Sequence, residues 1–496
     1  MSAPLRPSAP RPASRRGAAP RDLDALSARA ARRALRRQRA RAKERGIALI
    51  MVLGAIAVLT VMLAEFQDDT STELASAVAE RDSVQAEYMA RSAVNLSRLL
   101  VASEPSIRQS IAPLFAFLKK TPPQIPVWEF SDRILGAFND EEASKGFASQ
   151  AGLDMSLSKN LGMPGGRFEL KIVDEDSKID LNIGASNDIA HIRLAKEVMG
   201  AISSPIYNPL FEQRDPFGQT HDRLQTCAAM IDWADVDELG FNCDTTQTQN
   251  AGAGGTEDAF YQLLAKPYRR KNAPYDSLEE LHMVRGVTDD FWTAFVDPDP
   301  EKPEKRIMTV WGSGLVNVNT ANAVTLLAIV CAGAPASELC TDPNQAQTFV
   351  MGVTMAKGIT MGAPLFGSAD DFAAAMGGQG QLGPMLQLLG MKPVKFLSKS
   401  EFTKTITTES KMFSIYAIGV VKGYKRETRV RIHSVVDFRN APAMGGAAAP
   451  TTNAAGGITQ PPPAGSAALP GGAAANGIAG ALTPSTGGNV VYYRID

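Results

Sequence analysis

Eighteen consecutive positions, 47–64 (IALIMVLGAIAVLTVMLA), carry no charge. As a helix rising 1.5 Å per residue they reach about 27 Å, close to the hydrocarbon thickness of a bilayer. Beyond them Ala77, Val84, Tyr88, Leu96 and Leu99 recur at helical spacing, with Glu80, Arg81, Asp82 and Arg91 between, which predicts a helix running to about Leu100. Residues 166–173 (GRFELKIV) alternate as a half-buried strand does, and 174–183 (DEDSKIDLNI) read as a turn leading to a second strand. Further strand material stands at 414–421, 427–434, 435–439 and 490–495. From about 185 to 395, helical periods, prolines and loops dominate.

The class this predicts is α+β: an N-terminal helix packed on a small antiparallel sheet, with a large helical domain inserted into it. The expected divisions are a leader 1–46, the helix 47–100, an α/β part 101–184, the insertion 185–395, a sheet part 396–440, a linker 441–488 and a final strand 489–496. The linker holds no charge and is largely Ala, Gly and Pro, so it cannot bury a core and is expected to be disordered. Loop closure costs grow only logarithmically with length, so Val435–Arg439 and Val490–Ile495 are expected to be neighbours despite it.

Charge decides the orientation. Residues 1–46 hold 14 basic and 3 acidic residues, a net of +11, and the remaining 450 carry 37 basic and 49 acidic, a net of −12. Arg29–Arg45 precede the span and Glu65, Asp68, Asp69 and Glu73 follow it, so the N-terminus stays cytoplasmic and the acidic bulk is exported. No A-x-A-like cleavage site stands at the end of the apolar run. An acidic folded part argues against nucleic acid as a partner through bulk charge. Four cysteines and four scattered histidines make neither a disulfide scaffold nor a zinc site.

Lys43-Glu44-Arg45-Gly46 followed by Ile47-Ala48-Leu49 resembles the site cut by prepilin peptidase, between Gly46 and Ile47. An ordinary signal anchor shares the basic-then-apolar order, and a mitochondrial transit peptide shares the Ala/Arg-rich composition. A long N-terminal helix, half in the membrane and half on a soluble domain, is similar to type IV pilins and pseudopilins, and residues 87–93 (EYMARSA) resemble the segment that follows the span in secretion pseudopilins. Met51 is fifth counted from Ile47, where most of these proteins carry glutamate. An apolar residue there resembles the K-type minor pseudopilin of type II secretion and implies a place at the end of a filament.

The loop 231–237 (IDWADVD), followed by Asp244 and by 257–261 (EDAFY), supplies the oxygen ligands calcium prefers. It is no EF-hand: Leu239 and Thr246 stand where ligands are required. It resembles the calcium loop of the K-type family, which implies calcium as a cofactor and Asp232, Asp235, Asp237, Asp244, Glu257 and Asp258 as its candidate ligands, Asp235 and Asp237 first. A solvated acidic loop is the plainer reading of the charge alone. Export to an oxidising compartment makes Cys227 with Cys243, and Cys331 with Cys340, candidate disulfides, although four cysteines permit three pairings.

Residues 275–287 (YDSLEELHMVRGV) read as a Ser277-capped helix and a glycine turn, and 315–321 (LVNVNTA) opens a second helix. Both look like halves of helix-hairpin-helix modules, which hold phosphates in a membrane-anchored DNA receptor of the competence type. That receptor is the alternative reading. The second hairpin lacks its glycine turn, reading 327–333 (LAIVCAG), and K-type pseudopilins keep such hairpins as scaffold. No P-loop, Gly-x-Ser-x-Gly or His-Glu-x-x-His stands in the sequence, so no enzyme is expected. The resemblance implies a minor pseudopilin at the pseudopilus tip in the inner membrane, with I- and J-type pseudopilins, prepilin peptidase, the assembly platform and membrane lipid as partners.

Overall fold

The computed structural model describes residues 23–117, 121–136, 138–139, 166–212, 214, 220, 222–244, 258–360, 362–380, 382–423, 426–442 and 486–496. Glu257 and most of the 441–488 linker lie outside them. Two compact units are separable, 1–80 and 81–496. The first, from residue 23, is helix throughout and carries the one candidate membrane span found among the described residues, with a mean hydropathy of 2.8 over 18 residues and none of that window buried.

Helix α1 (Leu23–Phe117) supplies that unit and opens the second, in which a short α2 (Ser131–Gly136) follows. Then come β1 (Gly166–Asp174), β2 (Ile179–Asp180), α3 (Asp188–Ile202), α4 (Arg223–Asp232), β3 (Met308–Thr309) and β4 (Val316–Asn317). The chain continues through α5 (Ala323–Gly333), α6 (Pro343–Thr360), α7 (Ala369–Met376) and β5 (Ile406–Thr407). It ends in β6 (Met412–Lys422), β7 (Glu427–Asp437) and β8 (Asn489–Ile495).

The main sheet is antiparallel, in the order β1-β6-β7-β8. Its first pair runs from Gly166 opposite Val421 to Asp174 opposite Phe413, so strands adjacent in space are separated in sequence by 175–411. Strand β7 is one continuous strand where two were expected, and Val435 and Val436 oppose Tyr492 and Val490 across a bulge, the neighbourhood the sequence implied. Residues 278–283, expected as an α-helix, form a 3-10 helix, and 289–296 form a three-residue α-turn continued by a π turn.

Two cores form. One lies between α1 and the sheet, where Met89, Ala90, Ala93 and Val94 meet Phe168, Ile172, Phe413, Ile415 and Ala417. Of the apolar positions that mark this helix in the sequence, Leu96 packs against the core, whereas Val84, Tyr88 and Leu99 are 41, 58 and 51 % exposed and Ala86, Met89, Ala90 and Ala93 are fully buried. The buried stripe has the same helical period with smaller residues, and the reason is distance. A Cβ built on Gly419 of β6 would lie 1.8 Å from the Ala86 carbonyl oxygen, so helix and sheet approach backbone to backbone. The second core holds most of the intervening segment, with α3 against α5 in the same manner: a Cβ on Gly200 would sit 2.2 Å from the Ala328 carbonyl oxygen.

These seams predict an asymmetry among glycines. Gly419→Ala should lower stability by about 1–3 kcal/mol, because an added methyl meets backbone that cannot yield. Gly358→Ala, with nothing within 4 Å of its Cβ position in the last turn of α6, should raise it slightly. Chemical denaturation of the two variants checks both signs.

Candidate functional site

Gly46 and Ile47 both lie inside α1, and Met51 is an exposed apolar side chain within the span. The Asp-Trp loop begins where α4 ends. Asp222 caps that helix by accepting from the Gln225 amide, and Cys227 within it is bonded to Cys243, closing the loop across 16 residues. A second disulfide joins Cys331 of α5 to Cys340. Trp233 is buried against Tyr261 and Tyr268 at ring separations of 5.9 and 6.4 Å, and its indole N–H donates to Glu280 Oε2 at 3.2 Å.

The loop closes around a residue that the sequence reading did not single out. Arg270 is buried; its Nη1 donates to the Asp232 carbonyl at 3.0 Å and its Nη2 to the Asp237 carbonyl at 2.8 Å. The same guanidinium stands 3.8 Å from Asp235 Oδ1 and 3.4 Å from Asp258 Oδ1. Asp232 Oδ1 accepts from the Phe241 amide at 2.8 Å, Asp237 Oδ1 from the Leu239 amide at 2.7 Å, and the Asp244 amide donates to Asn242 at 3.0 Å. Burial, then neighbouring charge (Asp235 and Asp237 on Asp232, Asp237 on Asp235), pushes the Asp232 and Asp235 carboxyls up to about 7 against the pull of Arg270. Arg270 itself is lowered by burial.

One guanidinium thus meets the carboxylates of Asp235 and Asp258 and the backbone carbonyls of Asp232 and Asp237, and Asp235 Oδ1 is buried without a hydrogen-bond donor. That charge balance and those hard oxygens suit a divalent cation. Among the described residues, however, no three acidic, histidine or cysteine side chains stand together as a metal-holding group, and Glu257 lies outside the described residues.

A second acidic cluster was missed because it reads as a solvated turn. Residues 174–180 are buried throughout. Asp174 Oδ2 accepts from the hydroxyls of Ser410 and Thr320, and Asp176 accepts from the amides of Ser313 at 2.7 Å, Lys411 at 2.6 Å and Met412 at 3.0 Å. Glu175 pairs with Lys178 at 2.9 Å and accepts from the Thr309 hydroxyl. Burial raises Glu175, but Lys178 and the hydroxyl donors outweigh it and the net shift is downward. Burial, then the neighbouring Asp176, pushes Asp174 up to about 7, and burial does the same to Asp180. The available signal was the absence of glycine or proline from a charged run following a strand, with every polar atom asking for a partner once buried.

Two outcomes follow from this chemistry. Arg270→Met should cost about 3 kcal/mol or more, since it strands buried carboxylates, and adding Asp235→Asn should recover part of the loss in the unfolding midpoint. Asp174 titrates near 7 folded against 3.8 unfolded, so its contribution is complete below about pH 4 and is lost as pH rises towards 7. Asp174→Asn should therefore gain stability relative to the parent as pH rises over that window, measured by denaturant titration at each end.

Comparison with known proteins bears on the loop directly. Residues 221–295 match the family model described as type II secretion system (T2SS), protein K. A solved chain described as belonging to "The Crystal Structure of the GspK-GspI-GspJ complex from enterotoxigenic Escherichia coli Type 2 Secretion System" is 16 % identical, with 55 % of this chain and 76 % of that chain covered at a TM-score of 0.33. No curated protein matches. The matched stretch contains α4, the Asp-Trp loop, its disulfide, Arg270 and the capped turn at Ser277, and over these residues the chain is similar to the type II secretion system protein K family.

Proposed function

We propose that this chain is a minor pseudopilin at the tip of a type II secretion pseudopilus. The observation that carries the proposal is the match to the protein K family model at 221–295 in a chain that also holds a membrane-length apolar helical segment and, from Met89 onward, a helix packed on an antiparallel sheet. In this reading the Gly46–Ile47 bond is cut by prepilin peptidase and the mature helix stays in the inner membrane, with the domains beyond it in the periplasm. The assembly platform then draws the subunit into the filament.

Met51 supports a terminal place. A carboxylate there would pair with the free amino group of a neighbouring subunit, and in a medium of low dielectric an unpaired charge is costly, so a subunit without one suits the end of the row. The segment between β1 and β6 acts as an inserted domain whose bulk stops further addition above it. The face of α1 that carries Val84, Tyr88 and Leu99 stays exposed beside the sheet, as a helix face that packs on I- and J-type pseudopilins would be. The role is structural, without catalysis. The hairpin segments serve as scaffold, in keeping with the net charge of −12 beyond residue 46.

Calcium belongs to the proposal at the Asp-Trp loop, with Asp232, Asp235 and Asp237 as its nearest carboxylates and Asp244, Glu257 and Asp258 as further candidates. It would supply the positive charge that one guanidinium leaves short. Calcium in the millimolar range, the affinity class of extracellular sites, should raise the unfolding temperature of the purified chain by a few degrees, and a chelator should reverse it. An unchanged midpoint in parent and Asp235→Asn alike removes calcium from the account.

The filament role is tested on the exposed helix face. Val84→Lys, Tyr88→Glu and Leu99→Lys together should reduce copurification with I- and J-type subunits about ten-fold or more while leaving thermal unfolding unchanged. Undiminished copurification and secretion would count against the helix as the assembly surface.

A further inference from the structure

The leader that precedes the span has a chemistry of its own. Residues 29–45 hold nine basic residues against one acidic. In the helical part of α1, Arg29, Arg32, Arg33, Arg36 and Arg37 repeat at intervals of three and four and so form one face, while Ala31, Ala34 and Leu35 lie on the other. Residues 27–39 are all exposed. No acidic residue stands three or four positions from any of these arginines or from Arg39, so the helix cannot neutralise the stripe itself.

We propose that this leader helix docks on the anionic phospholipid of the cytoplasmic leaflet and holds the precursor there before cleavage. The inference rests on the single-pass, N-inside anchor of the proposed function. Guanidinium groups bind phosphate oxygens bidentately, and the stripe is nearly all arginine. Position selects the partner: the stripe is continuous with the span, so the phosphate surface is always within reach, whereas a soluble polyanion would have no reason to find its site there.

Reach sets a condition on the geometry. Along a straight helix Arg39 stands about 12 Å and Arg29 about 27 Å from Ile47. Attraction to a charged surface fades over a Debye length of about 8 Å, so a leader standing upright leaves most of the stripe outside the field. Docking therefore requires α1, continuous from Leu23 to Phe117 in this structure, to bend where leader and span meet. Gly46 is the residue there, and lacking a Cβ it leaves helical geometry at least cost. The same turn exposes the Gly46–Ile47 peptide bond at the membrane surface.

The test uses the full precursor with Ala34→Cys carrying a donor fluorophore, reconstituted into vesicles of phosphatidylcholine, or of phosphatidylcholine with about a third phosphatidylglycerol, each with trace acceptor-labelled lipid. Energy transfer should be about five-fold larger with phosphatidylglycerol at low salt and should collapse at high salt. Changing Arg29, Arg32, Arg33, Arg36, Arg37 and Arg39 to Gln should abolish the difference, and changing all six to Lys should keep most of it. Equal transfer in both vesicles, or a Gln variant that still responds, overturns the proposal. So does single-stranded RNA that draws the leader off the anionic vesicles at matched phosphate, which would make RNA the partner. A chain that fails to float with either vesicle overturns the anchor reading, and this proposal with it.

Discussion

Asp174 and Asp176 are buried, and the unit 81–496 is organised around what their oxygens accept. Asp174 ends β1 and gathers Thr320 and Ser410; two residues on, Asp176 gathers Ser313, Lys411 and Met412. One turn therefore fixes the chain at 313–320 and again at 410–412, where the long segment between β1 and β6 returns to the sheet. Bringing a strand back after so long an excursion carries a loop-closure cost, and the two buried carboxyl groups offset it with several hydrogen bonds from hydroxyls and amides. Removing either would strand several buried donors at once, which is more costly than losing one bond.

The other contacts extend that joint in two directions. Towards the N-terminus, small residues on α1 and Gly419 bring helix and sheet into backbone contact, so the larger apolar residues of the helix are left outward. Into the intervening segment, Gly200 and Ala328 repeat the device between α3 and α5, and the two disulfides brace α4 and α5. The Asp-Trp loop is then held from inside by Arg270 rather than by its own turns. A scaffold of this kind ties the intervening segment to the sheet while leaving the Val84, Tyr88 and Leu99 face of α1 free.

Much of this was legible because period survives folding: the apolar helical segment and the strand alternation at 166–173 follow from apolar spacing, and the pairing of 435–436 with 490–492 follows from strand composition once loop closure is cheap. The side of α1 that packs was not, since hydrophobic size favours Val84, Tyr88 and Leu99 while close approach favours alanine and glycine, and the second consideration prevailed. Acid-rich runs look solvated whether or not they are, so 174–180 passed as a turn. Arg270 lies in an extended stretch far along the chain from the aspartates it holds, where no spacing rule connects them. The acidic loop itself was visible, and so were its cysteines; the cation that sits in it was not.

The claim on which the functional account turns is that the chain is processed as a pilin-class subunit. The direct measurement is the N-terminal mass of the membrane-extracted protein, with and without prepilin peptidase. The account predicts a mature chain beginning at Ile47 when the peptidase is present and the full leader when it is absent. A chain that keeps residues 1–46 in both cases would contradict it, leaving a protein K domain on an anchor that joins no filament by this route.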